Sequence, residues 1–158
     1  MLEFRELTLE DKPRVEACAH AYSYHLCEHC FTDLFIWRGH YHTRVCFWEG
    51  FLLVQMKTVD EQQIMYLAPV GEGDLAAAIR LLEQDAQERG VPFAMCSIAE
   101  DMKPRIEAAL PGRYEYSTDE GGWDYIYLSE KLQTLSGKKL QTKRNLVNRF
   151  LAAHEGRW

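Results

Sequence analysis

The sequence predicts an α/β domain in which helices cover a mixed central sheet, and three observations carry that expectation. Hydrophobic residues make up 47% of the 158, enough for a chain of this length to bury one core without disulfide or metal staples. Apolar periodicity switches repeatedly between strand and helix spacing, in the order β α α β β β α β α β β, and alternation of this kind builds a helix-covered sheet. One segment, Leu75 to Arg89, has the pattern of an amphipathic helix with both its start and its stop signalled by residue type.

The elements follow in order. Glu3 to Thr8 alternates as a first strand. Thr8 then precedes Leu9-Glu10-Asp11-Lys12-Pro13, a cap followed by an acidic first turn that tolerates proline, so a helix is expected through Val15 and Cys18 to about Tyr22. Thr32 to Trp37 is apolar enough for a short packed helix ending near Gly39. Thr43 to Trp48 and Phe51 to Val59 flank Glu49-Gly50, a hairpin signal, and Gln63 to Leu67 adds a further strand. Ala68 to Asp74 is a turn-rich loop. Beyond it Leu75, Ala78, Ile79, Leu82 and Ala86 share one stripe, with Asp74 as N-cap and Gly90 just past the end. Phe93 to Ile98 reads as a strand, and Glu100 to Leu110 as a helix with Pro104 in its first turn. Tyr114 to Ser117 and Trp123 to Leu128 complete the sheet as two last strands.

Charge divides the chain. Residues 1 to 130 hold 11 basic and 23 acidic side chains, whereas 131 to 158 hold 7 and 1. A body this acidic repels nucleic acid and anionic membrane, so a polyanion should be met at the basic tail. No apolar run approaches the roughly 18 to 20 residues of a membrane span, and MLEFRELTLEDK lacks the basic start and apolar middle of a signal peptide. A cytoplasmic protein is expected. Five scattered cysteines suit reduced thiols. Cys27 and Cys30, beside His25 and His29, have zinc-ligand spacing, but no second CxxC or HxxxH follows, and no metal is expected.

Two places could meet phosphate. In PVGEGD, Gly71 and Gly73 stand directly before a helix N-terminus, where backbone NH groups could receive a pyrophosphate. A plain turn is the competing reading, since Glu72 and Asp74 repel an anion. The second place is LSGKKLQTKRNLVNRF. Read as a helix from Gly137 to Leu151, it puts Leu140, Leu146, Val147, Phe150 and Leu151 on one stripe together with Lys139 and Lys143. Those lysines either lay their stems along apolar surface and reach water, or line a crevice and pair with phosphate, with Arg144 and Asn145 as companions.

The element order, with a glycine loop before the third helix, is similar to the plan of the GNAT acyltransferases. FTDLFIW (31 to 37), YLAPVGEGD (66 to 74) and DYIYLSEKLQTLSGKKLQTKRNLVNRF (124 to 150) resemble the DUF2156 family, whose fold is that of the C-terminal domain of phosphatidylglycerol lysyltransferases. GKKLQTKRNLVNRF is the most specific block. The resemblance implies a GNAT-like domain over 1 to 133 and a basic connector over 134 to 158 that leads to a second GNAT-like domain absent from this chain. It also implies an aminoacyl or acyl transferase, with aminoacyl-tRNA or acyl-CoA as donor and an amine or hydroxyl as acceptor. A late-strand tyrosine often serves as the acid in GNAT enzymes, which would be Tyr125 or Tyr127. The loop keeps the GNAT glycines but lacks the leading Arg or Gln of acetyl-CoA enzymes. Two other readings stand beside the transferase: a non-catalytic module whose basic helix docks a partner domain or RNA, and an acetyl-CoA-dependent N-acetyltransferase. An apolar stripe left uncovered on the connector invites homodimerisation.

Overall fold

A computed structural model describes residues 2–21, 26–58, 63–118, 120–123, 125–154 and 157. The chain forms two compact units, Met1–Tyr116 and Ser117–Trp158, so the expected boundary at 133/134 lies inside the second.

The first unit is built on a sheet of six short strands: β1 (Arg5–Glu6), β2 (Arg44–Trp48), β3 (Phe51–Lys57), β4 (Ile64–Leu67), β5 (Val70–Gly71) and β6 (Met95–Cys96). The spatial order is β1-β2-β3-β4-β6, with β5 paired to β3. All pairings are antiparallel except β4 with β6, which run parallel. The mixed α/β architecture is therefore as expected. Glu49 (φ 40) and Gly50 (φ 86) both take positive φ, the geometry that turns a two-residue hairpin with the twist of its strands.

Helices cover both faces. Strand alternation sends Phe51 and Leu53 of β3 into one core with α3 (Leu75–Arg89) and α4 (Met102–Ala109). It sends Leu52 and Val54 into the other, with α1 (Lys12–Ala21) and α2 (Phe31–Trp37). The β3 residues Phe51 to Val54 are all buried, which is why this stretch reads as a continuous apolar run.

Helix α3 forms as its residue types dictate. The Asp74 carboxylate accepts from the Ala77 NH at 3.0 Å, and Gly90 closes the helix at φ 69. Helix α1 starts later than the Thr8 cap suggested, because Leu9–Asp11 form a 3₁₀ turn first. There the Asp11 carboxylate accepts from the Thr8 NH at 2.9 Å and from both ends of the Arg5 guanidinium. Strand β6 is shorter than expected because Ser97 turns out of extended conformation at φ 52. The expected helix end at Tyr22 and the strand end at Val59 fall outside the described residues.

Among the described residues the two last strands do not form. Residues 114–116 cross the helices as a strap: the Tyr114 hydroxyl donates to Glu83 of α3 at 2.7 Å and the Tyr116 hydroxyl to Glu107 of α4 at 2.9 Å. Arg113 adds a forked pair to Glu83 at 2.7 and 2.9 Å. Their side chains are thus anchored to helices, and their backbone joins no ladder. Residues 123 and 125–128 are likewise outside any strand. A strand requires a partner for its backbone groups, and among the described residues none is paired to them.

The second unit is helical, with α5 (Ser129–Thr134) and α6 (Gln141–Ala153). The single helix expected from Gly137 is instead a 3₁₀ turn, Lys138–Leu140, followed by α6. Leu140 at φ −98, ψ 4 breaks the helical step between them. Among the described residues no helix is long and apolar enough to cross a membrane.

Candidate functional site

The loop before α3 brings Gly71 and Gly73 against the turn of the β2–β3 hairpin. A Cβ on Gly71 would stand 2.1 Å from the Gly50 carbonyl oxygen, and one on Gly73 would stand 2.9 Å from the Phe51 ring. Both have strongly positive φ, 141 and 148. The close approach of backbone to backbone accounts for both glycines without a ligand.

The other expected residues lie in the second unit. Arg144 is half-buried and spends its guanidinium locally, donating to the Leu135 and Gly137 carbonyls and to Gln141 Oε1. It stitches the turn at Leu135, where φ is 48, to the first turn of α6. Asn145 Oδ1 accepts from Gln141 Nε2 at 3.0 Å. Lys139 and Lys143 are exposed, and among the described residues neither has an ion-pair partner. Lys139 lies in the 3₁₀ turn, so its helical projection does not hold, whereas Lys143 is on α6 at i and i+4 with Val147. That helix leaves Leu146, Val147 and Phe150 about half exposed. Tyr125 (89%) and Tyr127 (53%) are exposed and stand in no strand, so the alternation meant to orient them has no sheet to act on. Their expected neighbour Asp124 is outside the described residues.

Around the cysteines, Cys27 and Cys30 are exposed while His29 is buried. Burial lowers the His29 imidazole to about 4, against a smaller opposing effect of the Ser97 backbone, so it is neutral at pH 7. No group of three His, Cys, Asp or Glu among the described residues is placed to hold a metal, and His25 lies outside them.

A polar cluster that sequence reasoning missed sits in the first unit. Asp85, on the inner face of α3, is 2% exposed. Its carboxylate accepts from Gln55 Nε2 at 3.0 Å, from the Tyr66 hydroxyl at 2.7 Å, and from Arg89 at 2.7 and 3.1 Å. Burial, then Asp85, push the Tyr66 hydroxyl up to about 12, so it remains a donor. Two signals were present: Asp85 interrupts the apolar stripe between Leu82 and Ala86, and Gln55 interrupts the run FLLVQM. Gln55 and Arg89 also reach the wall of a cavity of about 590 Å³ beside Arg44 and Lys57.

Residues 20–158 match the family described as phosphatidylglycerol lysyltransferase, C-terminal. The chain belongs to that family. Membership makes this a transferase-like domain. No curated protein matches the chain. Among solved structures it is similar to a conserved protein of unknown function from Bacteroides thetaiotaomicron VPI-5482, at 34% identity and a TM-score of 0.87 over 99% of this chain. The chain spans about half of that protein, 52% of its length.

Proposed function

We propose that this chain is one half of an aminoacyl or acyl transferase, in which an amine or hydroxyl attacks the ester of an activated donor such as aminoacyl-tRNA. The observation that supports it is the family match, which extends through the basic segment to residue 158. Attack on the donor ester gives a tetrahedral oxyanion, which collapses to the new amide or ester and expels the donor's ribose hydroxyl. Such a reaction needs no covalent enzyme intermediate. It is accelerated by positioning the two substrates and by donors aimed at the oxyanion. In this reading the exposed ammonium groups of Lys139 and Lys143 offset donor phosphate charge. Arg144 and Asn145 shape the segment that carries them. Tyr125 or Tyr127 gives its proton to the leaving ribose oxygen and regains the one that the attacking amine or hydroxyl releases. Gly71 and Gly73 hold the loop before α3 against the hairpin turn.

A second GNAT-like domain completes the crevice, consistent with the twofold length of the Bacteroides protein. The exposed Leu146, Val147 and Phe150 of α6 suit such a covering partner. The test is transfer of labelled amino acid from charged tRNA by the complete gene product, offered anionic lipid and small amine acceptors. Transfer to one of them is expected. A folded protein that transfers to none, yet binds a partner through α6, would establish the non-catalytic module instead. An acetyl-CoA enzyme would reveal itself by a rise in melting temperature with acetyl-CoA.

A further inference from the structure

We infer that the first unit carries an anion site for a phosphate-bearing small molecule, built by Arg44, Lys57 and Arg89. Their cavity, about 590 Å³, lies within the roughly 300 to 1,000 Å³ of small-molecule sites.

Charge is the first argument. Residues 1 to 116 contain 11 basic and 19 acidic side chains. Four of those basic residues, Arg38, Arg44, Lys57 and Arg89, line this one cavity, and Glu6 is the acidic residue among the described residues on its wall. A surface net negative by eight has thus gathered cations at one concave place. Arg38 is committed elsewhere: it donates to the Phe35 carbonyl and stacks 3.7 Å over the Phe35 ring. Among the described residues neither Arg44 nor Lys57 has an ion-pair partner, although Lys57 is half-buried. Like charges converging on a partly desolvated cavity repel each other, and an anion there relieves the repulsion.

The second argument is that the wall is built and held. Sheet register sets Glu6, Arg44 and Gln55 in one row across β1, β2 and β3. Lys57 stands two residues beyond Gln55 on the same face. Arg89 ends α3, and Asp85 takes its Nε and Nη2. Asp85 also takes the amide of Gln55, so one buried carboxylate orients two wall residues. Ordinarily a buried ion pair is replaceable by apolar packing at little or no loss. Here it holds a guanidinium at the wall of a cavity with two cations that no described residue pairs.

The ligand is compact. An extended nucleic acid would meet the acidic surroundings, whereas a phosphomonoester or pyrophosphate group fits inside and brings the multiple charge that Arg44 and Lys57 match, with the part of the Arg89 guanidinium that Asp85 does not take as a further donor. Because it involves only the first unit, this site does not depend on the transfer reaction.

Pyrophosphate, inorganic phosphate and citrate titrated calorimetrically into the 158-residue chain at low salt provide the test, with amide chemical shifts followed by NMR. Pyrophosphate is expected to bind at least about tenfold more tightly than citrate, with shifts centred on residues 44, 55 to 57 and 89. Arg44→Gln and Lys57→Gln should each weaken binding about tenfold or more, roughly the 1.5 to 3 kcal/mol of a charge-assisted contact, and leave the melting temperature equal or higher. Lys12→Gln, at an exposed lysine of α1 that pairs with Glu16 and lies outside the cavity, should leave pyrophosphate binding unchanged. Equal affinity for citrate, shifts confined to residues 138 to 149, or undiminished binding by folded Arg44→Gln and Lys57→Gln proteins would each overturn the proposal.

Discussion

Tyr66 of β4 and Asp85 of α3 meet at 2.7 Å inside the core, where the phenol donates to a carboxylate that water barely reaches. Three residues share that carboxylate, so its removal has a defined cost. Asp85→Ala should destabilise the chain by about 3 to 5 kcal/mol, because it strands Arg89 and Gln55 as well as opening a void. Tyr66→Phe removes one of three partners and should cost about 1 to 2 kcal/mol. Urea unfolding of both variants measures the difference.

Glycine substitutions separate close approach from simple backbone strain. Gly90 has φ 69 with open space around its missing Cβ, so Gly90→Ala should cost only about 1 kcal/mol. Gly71→Ala must displace the Gly50 carbonyl, 2.1 Å from the added carbon. It should cost well over twice as much and disturb β5. Thermal unfolding compared across the two variants checks the order.

His29 gives the fold an acid sensitivity with a defined window. Its imidazole titrates near 4 when folded and near 6.5 when unfolded. Between those values the unfolded chain binds a proton that the folded chain does not. The stability that His29 contributes is therefore complete above pH 6.5 and falls by up to about 1.4 kcal/mol per unit as pH drops toward 4. His29→Leu should flatten this part of the stability profile, read by denaturant midpoints at half-unit pH steps.

On the connector, Lys139→Ala with Lys143→Ala should change stability by less than about 0.5 kcal/mol, since both side chains are exposed. If these ammonium groups meet donor phosphate, charged-tRNA affinity falls and the salt slope of binding drops by about one per lost contact. Unchanged affinity and slope would leave them as solvated lysines.

The sequence by itself determined what depends on near neighbours along the chain. Asp74 and Gly90 bound α3, Glu49-Gly50 turns the hairpin, and the family match runs on through the GKKLQTKRNLVNRF block, because capping, turn geometry and residue order are local properties. Alternation in residues 114–117 looked equally local, yet whether an extended segment becomes a strand depends on a free sheet edge. Here Glu83 and Glu107 hold the tyrosines instead. Only the tertiary structure could bring Arg44, Lys57 and Arg89 to one cavity. Their meeting depends on β2–β3 register and on where α3 ends over the sheet, and both are settled by packing between residues far apart in sequence.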